Sequence, residues 1–139
     1  MDAEPTSRIP GRLSDLAADE CYRRLDRTGV GRVAICTDDG PVILPVNYLV
    51  DGTSIVIRTA PYTSLAEHAV GQMAFEVDRL EPALQFGWSV LVVGQAMPVE
   101  DFELSSALKA EGRLQAWAPG PRNLFIRITP RKVTGRDIG

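Results

Sequence analysis

The sequence is poor in the residues that build metal centres. It contains one histidine and two cysteines, which are too few for a strong zinc site within one chain. We interpret Cys21 and Cys36, which both lie among apolar neighbours, as reduced and buried thiols. The lack of further soft ligands therefore predicts that no metal is bound.

Several motifs of catalysis are also missing. The chain has no G-x-S-x-G segment, no Walker loop and no G-x-G-x-x-G segment, so nucleophilic hydrolysis and dinucleotide binding of the usual kinds have no support. His68 lies in the predicted helical segment SLAEHAV and is interpreted as structural. Glu76 and Asp78 share one face of a predicted strand, a pattern that is common on solvated faces. The sequence names no catalytic residue.

Long apolar runs and an excess of one charge are absent too. No apolar run approaches the roughly 20 residues that a membrane helix needs. The net charge is −3, and the 15 basic residues are scattered along the chain. We therefore expect neither a membrane span nor a nucleic-acid surface. The polar residues 1–12 predict a disordered tail without an apolar leader, followed by a single domain at 13–139 in a cytoplasmic protein.

The sequence does contain a series of short strand patterns. Apolar or alternating segments bounded by turn residues predict strands at 31–37, 41–50, 54–60, 72–80, 87–99 and 125–138. Six or seven strands therefore follow one another in runs, without a regular alternation with helices. This order predicts a mainly β fold, an antiparallel barrel with helices covering its ends.

Three short helices are predicted between or before these strands. The first begins at Ser14 and turns Leu16, Cys21 and Leu25 inward. The others are predicted at 64–70 and 101–114, and a loop carries residues 116–123. Within the strand at 87–99, Gly94 is expected to mark a bulge or bend.

The segment 41–65, PVILPVNYLVDGTSIVIRTAPYTSL, carries the strongest functional pattern. Pro45 lacks an amide donor, which predicts an edge, a bulge or an opening in the strand ladder. Arg58 ends the next strand, and hydroxyl groups follow it towards a helix start, on Thr59, Thr63 and Ser64. A cation and hydroxyls beside helix amides are suited to a phosphate ester. We therefore predict a phosphate-bearing cofactor; the alternative is an outer-surface arginine paired with a carboxylate.

The chain resembles a known family in three stretches. They read GRVAICTDDGPVILPVNYLVDGTSIVIRTAPYTSL, FEVDRLEPALQFGWSVLVVGQA and WAPGPRNLFIRITPRKVTGR. Their order and spacing resemble the pyridoxamine 5'-phosphate oxidase-like, flavin-binding split-barrel family, near its small actinobacterial members and its nitroimidazole-reductase-like branch. The resemblance implies a homodimer of six-stranded split barrels with two sites for flavin mononucleotide (FMN) at the subunit interface. It also implies an FMN-dependent oxidoreductase, of the flavin reductase or nitroreductase kind, that acts on a small organic acceptor.

The resemblance also implies roles for particular residues. The flavin ring would lie along Pro45, Val46, Asn47 and Tyr48, and the phosphate would contact Arg58, Thr59, Thr63 and Ser64. Trp88 and Ser89 would reach the ring or ribityl chain from the dimer interface, although packing alone is the alternative for Trp88. A loop near the partner's site would carry Trp117 and Arg122.

Two departures from the family pattern keep other functions open. A lysine or arginine is usual where this chain has Ser64, which removes one cation from the expected phosphate site. The basic C-terminal signature of true pyridoxamine phosphate oxidases is missing as well, so oxidation of vitamin B6 is not expected. The alternatives are a deazaflavin-dependent reductase on the same fold and a non-catalytic dimer that binds a cofactor or none.

Overall fold

The computed structural model describes residues 12–25, 28–60, 63–99 and 124–139. These residues form seven strands and two short helices, in the order β1 Leu13–Leu16, α1 Ala18–Arg24, β2 Thr28–Thr37, β3 Gly40–Asp51, β4 Ser54–Thr59, α2 Ser64–Glu67, β5 Gly71–Glu81, β6 Phe86–Pro98 and β7 Leu124–Ile138. All strand pairs are antiparallel. The predicted mainly β, antiparallel class is therefore confirmed. The helix predicted at 101–114 and the loop at 116–123 lie outside the described residues.

Six of the strands close into a barrel. Neighbouring strands run in the order β7-β4-β3-β2-β5-β6, and β6 pairs back onto β7 to complete the ring. The seventh strand, β1, joins β7 outside the ring, with Leu13 opposite Ile138 and Leu16 opposite Gly135. The described residues therefore contain seven strands where the resemblance implied six, because β1 is added outside the six-stranded ring. Closure of the ring pairs strand edges that would otherwise be open to other chains.

The turn signals in the sequence set the register of the hairpins. β2 and β3 are joined through Asp38-Asp39, so that Thr37 lies opposite Gly40. The Thr37 hydroxyl donates to the Gly40 carbonyl at 2.8 Å, which closes this turn. β3 and β4 are joined in the same way, with Asp51 opposite Ser54. Because side chains alternate along a strand, these registers fix which residues face the core.

The barrel core is built around two aromatic residues. Tyr48 and Phe75 are almost fully buried, and their rings pack edge to face with centroids 5.0 Å apart and planes at 67°. Gly31 makes room for this pair, since a Cβ atom there would lie 2.6 Å from the Phe75 ring. The surrounding core is aliphatic and includes Val33, Ile35, Val46, Ile55, Ile57, Val77, Val90, Val92, Ile126 and Ile128.

The N-terminal helix begins later than the sequence predicted. Residues Leu13–Leu16 form β1, and α1 starts only at Ala18, so the prediction that Ser14 caps a helix was wrong. The end of β7 offers an edge on which these residues satisfy their backbone groups, and this pairing competes with a helical turn. The predicted inward face is confirmed in part: Cys21 and Leu25 are buried, whereas Leu16 packs against the core from β1.

The two cysteines differ in their surroundings, and the prediction for one of them was wrong. Both are free thiols, but only Cys21 is buried, whereas Cys36 is exposed. Val33 and Ile35 of β2 face the core, so the alternation of the strand turns Cys36 to the outer surface. Burial raises the pKa of the Cys21 thiol above its usual value.

The expected irregularity at Gly94 is confirmed. The register between β6 and β7 shifts there, since Val93 lies opposite Lys132 whereas Gly94 lies opposite Pro130. Arg131 is therefore the extra residue of a bulge in β7.

Candidate functional site

The strand β3 is hydrogen-bonded to a neighbouring strand on both edges over only part of its length. It pairs with β2 from Gly40 to Leu49, but β4 joins its other edge only from Asn47 to Asp51. In the part of the chain that the structure describes, no strand covers that edge between Pro41 and Val46. Pro45 is exposed on this stretch. Of the alternatives predicted for Pro45, the described strands show an edge at which the ladder opens.

Arg58 lies where β3 and β4 separate. It is opposite Asn47 on one side and opposite Phe125 of β7 on the other. Its guanidinium carbon is 5.4 Å from the centre of the Phe125 ring, a distance at which a cation is attracted to an aromatic face. The adjacent residues Ile57 and Thr59 are buried, so the alternation of β4 directs Arg58 to the outer surface. Asn47 and Arg58 thus stand side by side, next to the open edge of β3.

The hydroxyl groups of Thr59 and Thr63 bind each other within the loop after β4. Thr59 is buried, and the two Oγ1 atoms are 3.2 Å apart. Thr63 Oγ1 donates to the Ala60 carbonyl at 3.0 Å and accepts from the Ala66 amide at 3.2 Å. With its single proton committed, Thr63 accepts the proton of Thr59 and caps α2. These hydroxyls shape the loop, and a ligand oxygen would have to displace an existing hydrogen bond to reach them.

Ser64 is the first residue of α2 and is exposed. Its carbonyl accepts a hydrogen bond from His68 Nδ1 at 2.8 Å, and the helix is four residues long. A helix of one turn contributes little macrodipole. The positive charge that these predicted phosphate ligands supply is therefore that of Arg58.

The remaining residues of the predicted ring strand face the interior. The side chains of Val46 and Tyr48 are 7% and 1% exposed and belong to the barrel core. A ligand on the outer surface can therefore contact these two residues only through their backbone. Of the predicted ring contacts on β3, Pro45 and Asn47 are the ones whose side chains face outward.

Trp88 and Ser89 point to opposite faces of β6. Trp88 packs against the barrel core, whereas Ser89 is half-buried on the outer surface, two residues from the exposed Leu91. Trp117 and Arg122, also predicted to contact the cofactor, lie outside the described residues.

Ser89 is not adjacent to the other predicted ligands within one chain. A continuous row of outward-facing residues crosses four strands, from Pro45 on β3 through Arg32 and Glu76 to Leu91 on β6. Three strand spacings of about 4.8 Å put roughly 14 Å of sheet between the two ends. One chain therefore presents two separate halves of the predicted site.

Between these halves lies an ion cluster that the sequence did not reveal. Arg32 Nη2 is 2.7 Å from Glu76 Oε1 and 2.7 Å from Asp78 Oδ2, and Arg32 Nε also donates to Glu76 Oε1 at 3.0 Å. The three side chains are 41%, 31% and 29% exposed. The period-two spacing of the carboxylates was visible in the sequence, but their partner depends on the pairing of β2 with β5.

The two carboxylates share one guanidinium, so the cluster carries a net negative charge when both are ionised. Partial burial, together with the neighbouring Asp78, raises the pKa of Glu76 above its ordinary 4.5 despite the opposing effect of Arg32. Glu76 thus binds a proton more readily than an ordinary glutamate does.

A groove of about 300 Å³ runs over the cluster on the outer surface of β2 and β5. Its floor contains the small residues Ala34 and Ala74, which are direct cross-strand partners. Its rims are Ile43 of β3, which is 68% exposed, and Leu91 of β6, which is 41% exposed. Large apolar side chains that stand beside half-buried charges are typical of surfaces that contact a partner.

The residues beside the open edge of β3 fit one part of a phosphate-bearing planar cofactor. The edge from Pro41 to Val46, which no described strand covers, offers backbone groups to the rim of a planar ring. Arg58 can bind an ester oxygen with its planar fork. The fit is incomplete among the described residues of one chain, because Arg58 is the one predicted phosphate ligand among them that carries a positive charge and because Ser89 lies elsewhere.

The closed barrel and the site beside an interrupted strand pair define a split-barrel protein. The sequence profile of the family described as pyridoxamine 5'-phosphate oxidase matches residues 17–137. The chain therefore belongs to this family, and the resemblance noted in the sequence is confirmed.

Relatives with similar sequences and structures are found in actinobacteria. An uncharacterized protein of Mycobacterium tuberculosis, Rv0080, is 32% identical over 130 residues, which are 89% of this chain and 84% of the relative. The structure of an FAD binding protein from Mycobacterium smegmatis is 27% identical and covers 92% of this chain and 100% of its own, with a TM-score of 0.71. A conserved protein of unknown function from Corynebacterium diphtheriae is 29% identical and covers 91% of this chain and 98% of its own, with a TM-score of 0.74.

Within residues 12–25, 28–60, 63–99 and 124–139, no group of three or more histidine, cysteine, aspartate or glutamate side chains is arranged to hold a metal ion. No helix in these ranges is long and apolar enough to cross a membrane.

Proposed function

We propose that this protein is a flavin-dependent oxidoreductase that binds FMN between two copies of the chain and acts on a small organic acceptor. The observation that carries the proposal is the position of Arg58. It stands on the outer surface beside Asn47, where β4 leaves β3 and the strand edge near Pro45 becomes accessible. A cation at the end of an open strand edge suits a planar cofactor with an anionic tail.

The protein residues would bind and orient the cofactor. The backbone of β3 near Pro45 would border the ring, Arg58 would hold the phosphate, and the loop fixed by Thr59 and Thr63 would shape the phosphate pocket. When bound, a flavin supplies hydride and electron transfer. The chain contributes position, charge and exclusion of water, and Ser89 of a second copy would complete the wall.

The similarity to a flavin-binding relative supports this proposal. The Mycobacterium smegmatis protein, which is 27% identical over nearly the whole chain, is described as an FAD binding protein. FAD is therefore the second candidate cofactor. A deazaflavin is a third candidate. Ser64 stands where a phosphate-binding cation is usual, and the longer acidic tail of a deazaflavin would be bound by cations at other positions.

The visible spectrum of the full-length protein, purified without added cofactor, is the first test. An absorbance maximum in the blue is expected for an oxidised flavin, and a maximum at shorter wavelength would indicate a deazaflavin. Chromatography of the cofactor released by heat then separates FMN from FAD. A colourless protein whose melting temperature rises with none of these cofactors would contradict the proposal and favour a non-catalytic dimer.

Replacement of Arg58 tests the phosphate contact itself. Arg58→Ala is expected to weaken FMN binding by about 10- to 100-fold, since a hydrogen bond to a charged group contributes roughly 1.5–3 kcal/mol. Arg127→Ala is the matched control, because Arg127 lies on the neighbouring strand and pairs with Asp51 at 3.0 Å. Equal affinities of the two variants in a fluorescence titration would remove Arg58 from the site.

A further inference from the structure

We propose that the groove over Arg32 and Glu76 binds the apolar body of the small acceptor, and that Glu76 gives the acceptor the proton that it takes up on reduction. The class of acceptor that fits is a small ring with a conjugated carbonyl oxygen, such as a quinone. The inference rests on the proposed function, because the hydride must come from a bound flavin. Its own evidence is the composition of the groove and the position of the ion cluster.

The groove is apolar along most of its length. Ala34 lies directly opposite Ala74 across β2 and β5, and these small side chains leave room for a flat ring above the sheet. Ile43 and Leu91 form its exposed apolar walls. Its volume of about 300 Å³ is at the lower end of the range for ligand pockets. The body of the groove therefore suits a small apolar ring and excludes a large acceptor.

The polar end of the groove offers two hydrogen-bond donors to one oxygen atom. Arg32 lies directly opposite Glu76, two residues along both strands from the alanine pair, and both residues line the groove. Arg32 binds the carboxylates through Nε and Nη2, and no described residue binds its Nη1. A carbonyl oxygen at this end would accept from Nη1 and from the carboxyl group of protonated Glu76. Both donors stabilise the negative charge that develops on this oxygen during reduction.

The ion cluster lies between the predicted contacts of the flavin ring. Arg32 is directly opposite Pro45 across β2 and β3, and Asp78 is directly opposite Ser89 across β5 and β6. Neighbouring strands are about 4.8 Å apart, so the cluster is one strand away from each contact. A ring that touches Pro45 or Ser89 therefore lies beside the groove, whichever copy of the chain supplies that contact.

Glu76 is the carboxylate of the cluster that is placed for proton transfer, because it lines the groove and Asp78 does not. The charged side chains that face it in the described ranges are Arg32 and Asp78. On its other side, β6 presents the uncharged Ser89 and Leu91. Partial burial and Asp78 raise the pKa of Glu76, so that more of it is protonated at a given pH than of an ordinary glutamate.

The proposed step balances in atoms and electrons. Reduction of a quinone to its hydroquinone consumes one hydride and one proton. The hydride brings both electrons and is the contribution of the flavin. The O–H bond of the Glu76 carboxyl breaks, and a new O–H bond forms on the carbonyl oxygen that lies next to Arg32. The carboxylate then regains a proton from water.

The first experiment measures binding without turnover. The probe is duroquinone, a fully methylated quinone that does not add thiols such as the exposed Cys36. Equilibrium dialysis against the oxidised full-length protein is expected to show binding. Ala34→Leu fills the groove and is expected to weaken binding about 10-fold or more, whereas Ala83→Leu, the same change in an exposed turn, leaves it unchanged. No binding to wild type, or equal binding by the two variants, would overturn the proposal.

The second experiment tests proton transfer by Glu76. The flavin-loaded protein is reduced with light in the absence of oxygen and mixed with duroquinone in a stopped-flow instrument. Glu76→Gln is expected to lower the rate constant of quinone reduction about 100-fold. The dissociation constant of the quinone is expected to stay unchanged, because glutamine keeps a hydrogen-bond donor. Glu81→Gln, at the exposed end of β5, is expected to react as wild type does, and equal rate constants for the two variants would refute the role of Glu76.

The pH profile of this reaction distinguishes a proton donor from a structural residue. The wild-type rate constant is expected to fall as pH rises through the folded pKa of Glu76, because only the protonated carboxyl can donate. Asp78→Asn removes one cause of the raised pKa and is expected to move this fall to lower pH. A fall that persists unchanged in Glu76→Gln would assign the titration to another group and contradict the proposal.

The outcomes separate this inference from the proposed function. The dialysis needs no flavin, whereas the spectrum of the purified protein reports on the flavin alone. A protein that binds a flavin but takes no duroquinone into the groove refutes this inference and leaves the proposed function standing. A colourless protein that binds duroquinone in the groove refutes the proposed function, and with it the proton transfer, while the binding site stands.

Discussion

At the scale of single residues, the proposed phosphate site predicts that the charge near Arg58 sets the affinity for an anionic ester. Ser64→Lys at the start of α2 would add a second cation and is expected to tighten FMN binding by about 10-fold. Ser54→Lys is the matched control, because it adds the same charge at the other end of β4. Isothermal titration of both variants is the measurement. Equal affinities, or a weaker complex for Ser64→Lys, would mean that the start of α2 does not face the bound phosphate.

A second residue-scale effect is the response of Glu76 to pH. Its folded pKa is raised above 4.5, chiefly by burial and by Asp78, so the folded state holds this proton more tightly than the unfolded state. The contribution of Glu76 to stability is therefore most favourable at low pH, and it declines as pH rises from 4.5 through the folded pKa. Above that window the ionised carboxylate costs stability.

Glu76→Gln removes this titration while keeping the hydrogen-bonding shape. In wild type, ionisation of Glu76 above pH 4.5 is expected to lower the melting temperature. Because the variant cannot ionise there, its melting temperature is expected to rise relative to that of wild type as pH increases. Glu81→Gln is the control, because Glu81 is exposed at the end of β5. Thermal melts across this pH range measure the difference. Parallel profiles for wild type and Glu76→Gln would exclude the linkage.

At the scale of elements, the bulge between β6 and β7 depends on Gly94. A Cβ atom there would collide with the Thr129 carbonyl and lie 2.9 Å from Pro130 Cα, and a backbone neighbour cannot move aside cheaply. Gly94→Ala is expected to lower the free energy of unfolding by about 1–3 kcal/mol or more. Gln95→Ala, at the next and exposed position, is the control. Urea denaturation compares them, and equal midpoints would show that the two strands can separate locally.

Elements with a strong pattern were predictable, and those that depend on a distant edge were not. The strands from β2 to β6 follow alternating apolar residues bounded by Asp-Gly or glycine, which are local signals. The segment Leu13–Leu16 carries helical signals as well, since Ser14 is a good N-cap residue. Its conformation was decided by the end of β7, more than a hundred residues away in the chain, which provides an edge for pairing.

At the scale of the whole molecule, the proposed cofactor site couples binding to assembly. If each cofactor site is bordered by two copies, as proposed, dilution below the dimer dissociation constant is expected to release the flavin. Flavin fluorescence measured against protein concentration reports the release, and sedimentation of the same samples reports the dimer. The two transitions are expected to coincide, because neither chain alone presents both Arg58 and Ser89 to one ligand. Retention of flavin by monomers would contradict this coupling.

The candidate site was predictable where its residues are close in sequence. The strand near Pro45 and the cation at Arg58 lie within one hairpin, whose turn and period are local. The sequence does not single out Arg32, because its ion pairs with Glu76 and Asp78 depend on the pairing of β2 with β5. The Thr59 and Thr63 hydroxyls were named as phosphate ligands, and the structure shows them hydrogen-bonded to each other, a competition that sequence cannot display.

The sequence by itself determined the mainly β class, the hairpin turns, the opening at Pro45 and membership of the family, because each rests on local pattern or on matched residues in order. The tertiary structure alone decided which side chains share a surface. Pairing of β2 with β5 placed Arg32 beside Glu76 and Asp78, the alternation of β2 turned Cys36 outward, and the strand order separated Ser89 from Asn47. The physical reason is that strand pairing sets neighbours by register across the sheet, and register joins residues whose separation along the chain carries no signal.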